Sequence, residues 1–379
     1  MKIALRCTVD EAGSLGGAAL HSVLLADALS CIADRVDVYT ASPELFPRCR
    51  AIEVKPMYSP SSFARVTWWL RNTLYSRSSV ANDVDCVIYG NQFEPLLRQP
   101  ATKQVMIVHD VAPLLFPRLY PRSYLYFRLF LRRVLSRLDR VVVRTTSVRD
   151  DLLATYRLPA SHVEVIAGGL NTSPNSKSDA TGAEDGHPEF GDYVLYVGKQ
   201  FPNKNIAGLI QALRIVRSRR NVSLVVAGEI DERYSRGYWQ LAERCGIADG
   251  FYMVGPRRGF ALASILRGAR LLVHPSLYEG FGMTPLEAMA AGVPVAVARR
   301  GSLPEVCGSA AIYFDPLDIT DMAAAIDRLL SDEGLRQRCI VAGRAQAKRF
   351  DWHAAAQQYL GLVARLHARA AQSVPRCTA

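Results

Sequence analysis

The sequence has no apolar run long enough to span a bilayer and no signal-peptide pattern at its start. Its eight cysteines are scattered, with no C-x-x-C or other metal-ligand spacing, and its seven histidines form no metal cluster. These absences argue against a transmembrane protein, a disulfide scaffold and a metal-dependent enzyme. We therefore expect a cytoplasmic protein with reduced thiols and no metal or other cofactor.

The dinucleotide fingerprint G-x-G-x-x-G is also absent, and there is no internal sequence repeat or low-complexity tract. A shorter glycine loop does stand between a predicted strand, residues 1–7, and a predicted helix, residues 18–29. Its last two residues, Gly16 and Gly17, have no Cβ, so their backbone can approach a phosphate or an acceptor. A plain strand-to-helix turn uses glycine as well, so the loop alone leaves both interpretations open.

The rest of the chain alternates strand-like apolar runs with amphipathic helices, which predicts an α/β protein with two doubly wound parallel sheets. With 379 residues, 49% of them hydrophobic, the chain can bury two cores. Residues 171–192 are rich in Ser, Asn, Asp, Gly, Pro and Thr and predict a linker. We therefore predict one domain over 1–170 and another over 193–350, with a ligand between them.

The most informative segment surrounds two carboxylates, Glu279 and Glu287. A predicted strand, residues 269–273, ends at Pro275-Ser276 and leads into a glycine-bearing loop. The next residues predict a short helix with Thr284 as the N-cap, Pro285 as the first helical residue and Glu287 at the third position. Free N–H groups in the first turn of a helix suit a phosphate.

Simpler interpretations of both carboxylates remain open from the residues alone. Glu287 can complete a capping box by accepting a hydrogen bond from the Thr284 N–H. Glu279 can be a solvated loop carboxylate.

The run Glu279-Gly280-Phe281-Gly282-Met283-Thr284-Pro285-Leu286-Glu287 resembles the E-x-G-F-G-x-x-x-x-E signature of the large retaining glycosyltransferase family 4, which has the GT-B fold. The resemblance implies two Rossmann-like domains that face a central cleft. It also implies that Glu279 faces the donor sugar and that Glu287 holds the ribose hydroxyls of a nucleotide. The residues between them would contact the donor: Gly280, Phe281, Gly282, Met283 and Thr284.

Other segments carry the same resemblance. Lys199 and Lys204 stand in a strand-turn segment that supplies basic residues to the donor diphosphate in this family. Asn203 stands where relatives often have arginine, so donor affinity would rest more heavily on these two lysines. His109, at the end of a predicted strand over 105–108, matches a histidine that contacts the donor sugar.

The likeness extends to both ends of the chain. It places Gly16 and Gly17 in the cleft and implies that residues 351–379 form a helix that returns to the first domain. We therefore assign Glu279, His109 and Lys204 to catalysis, and the two glycines and Lys199 to donor binding. Asp83-Val84-Asp85 spells D-x-D, a metal pattern of a different glycosyltransferase fold, but it precedes an apolar strand and is better explained as a turn.

The formal charge of +11 is unevenly distributed. Residues 118–149 contain nine arginines and one acid, Asp139, with tyrosine, phenylalanine and leucine between the arginines. Such a segment can attach to the anionic inner face of a membrane, and residues 63–77 can add a second contact. The alternative is an ordinary domain helix with solvated arginines. We do not expect nucleic acid binding, because no recognised motif is present.

The predicted activity is transfer of a hexose from a nucleotide diphosphate sugar to a hydroxyl of a glycan or a lipid-linked acceptor, with retention of configuration. By resemblance, mannose is the first candidate, so GDP-mannose is the first candidate donor and a UDP-hexose the second. The alternatives are a scaffold that binds nucleotide sugar without catalysis and a nucleotide-sugar 2-epimerase.

Overall fold

The structure is a computed structural model of the chain, and it describes residues 1–7, 17–54, 83–94, 102–170, 187, 189–257 and 259–373. Three predicted features therefore lie wholly or mainly outside the described residues: Gly16, the linker over 171–192 and the segment 63–77. The chain forms two compact units, the first from residues 1–169 and 351–379 and the second from residues 170–350.

The first unit is built on a seven-stranded parallel sheet with the order β3-β2-β1-β4-β5-β6-β7. Its strands are short apolar runs, mostly buried, as expected for a parallel sheet covered on both faces. The strands are β1 Lys2–Arg6, β2 Arg35–Thr40, β3 Arg50–Glu53, β4 Cys86–Tyr89, β5 Lys103–Val108, β6 Arg140–Val143 and β7 Val163–Val165.

Helices of the first unit cover this sheet. The described helices are Gly17–Ser30, Ala112–Leu115, Pro121–Tyr126, a π-helical turn Phe127–Leu131, Arg132–Leu135, Thr146–Tyr156 and Trp352–Ser373, with 3₁₀ turns at Pro43–Leu45 and Ala160–His162. The last helix packs in the same core as helix Gly17–Ser30, with Leu25, Tyr359 and Val363 buried in one cluster. A Cβ at Gly169 would lie 2.4 Å from the Trp352 backbone nitrogen, so this approach requires glycine.

The second unit contains a six-stranded parallel sheet with the order β10-β9-β8-β11-β12-β13. Its strands are β8 Tyr193–Val197, β9 Ser223–Ala227, β10 Phe251–Gly255, β11 Leu271–His274, β12 Val295–Ala298 and β13 Ile312–Phe314. Its helices are Ile206–Arg217, Glu232–Arg244, Gly259–Arg267, Met283–Ala290, Leu303–Cys307, Ile319–Ser331 and Glu333–Ala347, with 3₁₀ turns at Pro202–Lys204, Ala248–Gly250 and Gly308–Ala310. Two doubly wound parallel sheets confirm the predicted fold class.

One local prediction is wrong. Helix Met283–Ala290 begins at Met283, and its N-cap is Gly282 with φ of 105°, not Thr284. Gly282 adopts a left-handed conformation that other residues rarely reach, so the chain enters the helix two residues early. Pro285 is consequently the third helical residue. The capping box between Glu287 and Thr284 does not form, because Thr284 already lies inside the helix.

Among the described helices, none combines the length and the apolar character that a membrane span requires.

Candidate active site

The sheet of the second unit has its topological switch point between β8 and β11. The chain runs from β8 through β9 to β10 on one side, and from β11 through β12 to β13 on the other. The loops that follow β8 and β11 therefore diverge at the carboxyl ends of two adjacent strands, and open α/β sheets bind ligands in this crevice. A backbone bond from the Leu277 N–H to the Asn203 carbonyl, 2.9 Å long, joins the two loops.

Three polar side chains meet at this switch point. Lys204 Nζ donates a hydrogen bond to Glu279 Oε1 at 2.7 Å, and His274 Nε2 donates to the same oxygen at 2.8 Å. Ser276 Oγ lies 3.3 Å from His274 Nε2. Both described donors contact one oxygen of the carboxylate, so the structure brings together two predicted catalytic residues, Lys204 and Glu279, and adds His274.

The electrostatics keep Glu279 ionised. Burial by itself raises the pKa of a carboxyl group, but the Lys204 ammonium and the His274 hydrogen bond outweigh it, so the pKa of Glu279 lies well below its usual range. Tyr196 stacks on the His274 ring with 6.3 Å between centroids, and its pKa is raised well above 10 by burial and by the negative charge of Glu279. A fixed negative charge at this position can orient sugar hydroxyls and oppose positive charge.

The loop after Glu279 is held from a distant part of the sequence. Ser302 Oγ lies 2.9 and 2.8 Å from the carbonyl oxygens of Glu279 and Phe281, which share its single hydroxyl hydrogen, and Ser302 is fully buried. Gly301 has a φ of 54°, and a Cβ there would lie 2.8 Å from the Glu279 carbonyl oxygen. Gly301 and Ser302 therefore fix the backbone that carries the Glu279 carboxylate.

Helix Met283–Ala290 begins directly after the loop that carries Glu279. Gly282 caps the helix without a side-chain hydrogen bond, and Met283 and Thr284 are its first two residues. Pro285, the third, has no N–H. Gly280 and Phe281 are buried beneath this turn, and Phe281 packs edge-on against Phe350 at 5.5 Å. The positive end of the helix dipole therefore lies at this turn.

Glu287 lies further along the same helix, and its carboxylate has no hydrogen-bond or ion-pair partner among the described residues. Burial raises its pKa to about 7. A carboxylate that is partly withdrawn from water and unpaired within the protein is available to accept hydrogen bonds from a ligand.

Lys199 is not part of the cluster of side chains around Glu279; it lies beside Phe201. Its side chain is exposed, with Nζ 5.8 Å from the centre of the Phe201 ring. It lines a cavity of about 280 Å³ together with Phe201, Glu229, Asp231 and Arg233. Asn203, which stands where relatives often have arginine, is buried, and its side-chain oxygen has no partner among the described residues.

His109 lies in the first unit, directly after β5. Its Nε2 is 2.8 Å from the Gly90 carbonyl, and because a carbonyl only accepts, Nε2 carries the proton. Burial, followed by the positive charge of Arg144, lowers the pKa of His109 to about 4. The ring is therefore neutral at pH 7 with Nδ1 as an acceptor, so it suits contact with a hydroxyl group rather than proton donation.

A second buried histidine, His21, packs against His109 with 5.2 Å between ring centroids and against Trp352 at 5.0 Å. Both nitrogens of His21 lack a hydrogen-bond partner in the described structure. Its pKa lies well below 6.5 because of burial and the nearby Arg144 and His109. Gly17 opens the helix that carries His21, and a Cβ at Gly17 would meet nothing within 4 Å.

The two aspartates of the D-x-D pattern serve the fold of the first unit. Asp83 pairs with Arg35 at 2.7 Å, and Asp85 accepts the Lys2 backbone N–H at 2.8 Å just before β4. The first unit also contains a cavity of about 400 Å³. It is lined by Arg140, the first residue of β6, whereas His109 follows the carboxyl end of β5. Among the described residues, no group of three or more His, Cys, Asp or Glu side chains is arranged to hold a metal ion.

Sequence reasoning missed His274, Gly301 and Ser302. His274 ends β11 and precedes Pro275, so its position at the carboxyl end of a predicted strand is a signal that could have found it. Gly301 and Ser302 follow β12, and nothing local in the sequence indicates that they hold the Glu279 loop.

Two family descriptions match consecutive parts of the chain. "Glycosyltransferase Family 4" matches residues 15–174, and "Glycosyl transferases group 1" matches residues 179–346. The solved structure of sucrose-phosphate synthase from Thermosynechococcus elongatus superposes with a TM-score of 0.79 at 21% identity, covering 97% of this chain and 99% of that one. Anabaena Alr3699/HepE in complex with UDP-glucose gives 0.73 at 20% identity, covering 96% and 100%. The structural matches show that the chain has the GT-B fold.

Two curated relatives are similar to parts of the chain. O-antigen chain mannosyltransferase B of Escherichia coli is 39% identical over 168 residues, which is 42% of this chain and 42% of the relative. O-antigen chain mannosyltransferase RfbU of Salmonella typhimurium is 29% identical over 235 residues, 62% of each chain. The chain thus spans about half the length of these relatives.

Proposed function

We propose that the chain is a glycosyltransferase that moves a hexosyl group from a nucleotide diphosphate sugar to a hydroxyl of a glycan or a lipid-linked acceptor. The observation that carries this proposal is the meeting of Lys204, His274 and Glu279 at the switch point of the second sheet. A cation and a carboxylate that its partners keep ionised at neutral pH suit a reaction that separates charge at the anomeric carbon.

The proposed reaction breaks the bond between the anomeric carbon and a diphosphate oxygen and forms a bond from the acceptor oxygen to that carbon. The acceptor hydroxyl gives its proton to the departing diphosphate oxygen, and the nucleoside diphosphate leaves. Configuration is retained. Lys204, Lys199 and the positive end of the dipole of helix Met283–Ala290 would stabilise the diphosphate charge, which is why we expect activity to survive a chelator.

Glu279 would position the donor sugar. Both described donors bind Oε1, so Oε2 can accept hydroxyl groups of the sugar. Glu287, unpaired within the described structure, would accept the ribose hydroxyls, and a charge-assisted bond of this kind contributes about 1.5–3 kcal/mol. Neutral His109 would accept a sugar hydroxyl through Nδ1.

GDP-mannose is the first candidate donor. The naming of two relatives as mannosyltransferases supports mannose. A UDP-hexose is the second candidate, because a structural neighbour was solved with UDP-glucose.

The experiment is a transfer assay with GDP-mannose and UDP-glucose as donors and a panel of glycan acceptors, for the wild type, Glu279→Gln and Lys204→Met. We expect one donor to be used and both variants to lose at least about 100-fold in kcat/KM. A Glu243→Gln variant, exposed on helix Glu232–Arg244, is the matched control. Nucleotide-sugar binding without turnover would support the scaffold instead, and conversion of the donor without acceptor would support the epimerase.

A further inference from the structure

The described part of the first unit exposes four large hydrophobic side chains, and all four lie between positions 115 and 130. They are Leu115, Leu125, Leu129 and Phe130, with 51%, 56%, 57% and 48% of their surface exposed. In the second unit the corresponding side chains are spread between positions 215 and 341. Single exposed leucines are ordinary, but a cluster in one short segment indicates an interaction surface.

Three of these side chains, Leu125, Leu129 and Phe130, lie outside the buried face of the helical segment that starts at Pro121. Phe127, Leu131 and Leu135 are fully buried at a spacing of four residues. Tyr156 donates a hydrogen bond of 2.9 Å to the Phe127 carbonyl, which fixes the segment on the unit. Phe127 and Leu131 therefore belong to the core of the unit and not to its exposed surface.

The same surface is strongly basic. Six exposed arginines lie between positions 118 and 137, where the sequence has no acidic residue, and none of them forms an ion pair with another described residue: Arg118, Arg122, Arg128, Arg132, Arg133 and Arg137. Arg144 is buried, and Arg149 contacts Asp150 at 3.1 Å. The basic surface is thus residues 115–137, narrower than the 118–149 expected from sequence.

We propose that residues 115–137 attach the first unit to an anionic phospholipid surface. Leucine and phenylalanine can enter the boundary between headgroups and acyl chains while the surrounding arginines contact lipid phosphates. A second copy of this chain fits poorly, because a symmetric contact would bring the arginines of the two copies together. A nucleic acid would pair with the arginines but leave the leucines exposed. The inference does not depend on the proposed activity.

The test is co-sedimentation of the full chain with phosphatidylcholine vesicles that contain or lack phosphatidylglycerol. One variant carries Leu125→Gln, Leu129→Gln and Phe130→Gln, and a second carries Arg128→Gln, Arg132→Gln and Arg133→Gln. The control variant, Leu317→Gln with Val341→Gln, changes two hydrophobic residues of the second unit that are more exposed than those of the first variant. All positions are exposed, so thermal unfolding should be unchanged in each variant.

We expect the wild type to bind only vesicles with phosphatidylglycerol, and each triple variant to lower the partition coefficient by about tenfold or more. The control should bind like the wild type. The proposal is overturned if the wild type does not bind these vesicles, or if the leucine and phenylalanine variant binds as well as the wild type. It is also overturned if sedimentation without lipid reveals a dimer that this variant abolishes.

Discussion

Replacing Lys204 with methionine removes the positive partner of Glu279 while keeping most of the side-chain volume. The two side chains are 21% and 15% exposed, so the pair is largely withdrawn from water. Removing one member of a buried pair typically costs about 3–5 kcal/mol, and partial exposure reduces the expected cost here to about 2–3 kcal/mol. His274 would remain as a described donor to the carboxylate.

A double-mutant cycle measures the coupling energy between Lys204 and Glu279. It compares Lys204→Met, Glu279→Gln and the double variant by urea unfolding, with hydrogen exchange to locate the change in the second unit. Arg217 and Asp249 form the control cycle, because they belong to the same unit and also lie 2.7 Å apart, but the Asp249 side chain is 74% exposed. We expect a clear coupling energy for Lys204 and Glu279 and none beyond error for the control. Equal coupling in both cycles would refute the reasoning.

The pair also predicts a pH dependence. The pKa of Glu279 is lower in the folded chain than its unfolded value, about 4.3, so the stabilisation is complete above that pH. It declines as the pH falls below about 4.3 toward the lowered folded pKa. The wild type should therefore lose its advantage over Glu279→Gln only in acid.

Three further predictions concern Glu287, His109 and Gly301. Burial raises the pKa of Glu287 to about 7, so between about pH 4.5 and 7 the unfolded chain ionises this group while the folded chain keeps its proton, and stability falls as the pH rises. Glu287→Gln should therefore stabilise the chain by about 2 kcal/mol at pH 8 and little at pH 4.5. Equal effects in urea unfolding at both pH values would contradict this. His109, with a pKa of about 4, should show no NMR titration between pH 5.5 and 8, and an observed midpoint near 6.5 would disprove its burial. In Gly301→Ala the added Cβ would contact the Glu279 backbone, so this variant should be destabilised by about 1–3 kcal/mol in thermal unfolding and bind the donor more weakly. An unchanged melting temperature would show that the Glu279 loop moves to accommodate the Cβ.

Much of the fold follows from local patterns. Apolar runs separated by amphipathic helices predict the two parallel sheets, and the predicted strands over 105–108 and 269–273 correspond to β5 and β11. The meeting of Lys204 and Glu279 also follows from the sequence once the strand order is known, since their loops leave adjacent strands of a doubly wound sheet.

The start of helix Met283–Ala290 could not be predicted locally. Thr284, Pro285 and Glu287 form a good capping sequence, but the conformation of Gly282 and the hydrogen bonds from Ser302 decide where the helix begins. These contacts join residues about twenty positions apart. The bounds of the exposed basic surface could not be predicted from the charge pattern either, because only the packing shows that Arg144 is buried.

Calorimetric titration with GDP, UDP and ADP, each into the wild type, Glu287→Ala and the control Glu243→Ala, tests the central claim most directly. We expect one nucleotide to bind the wild type and the control, and to lose at least about tenfold in affinity for Glu287→Ala. Binding of none of the three nucleotides, or equal binding to all three proteins, would contradict the assignment of the second unit as the nucleotide-sugar site.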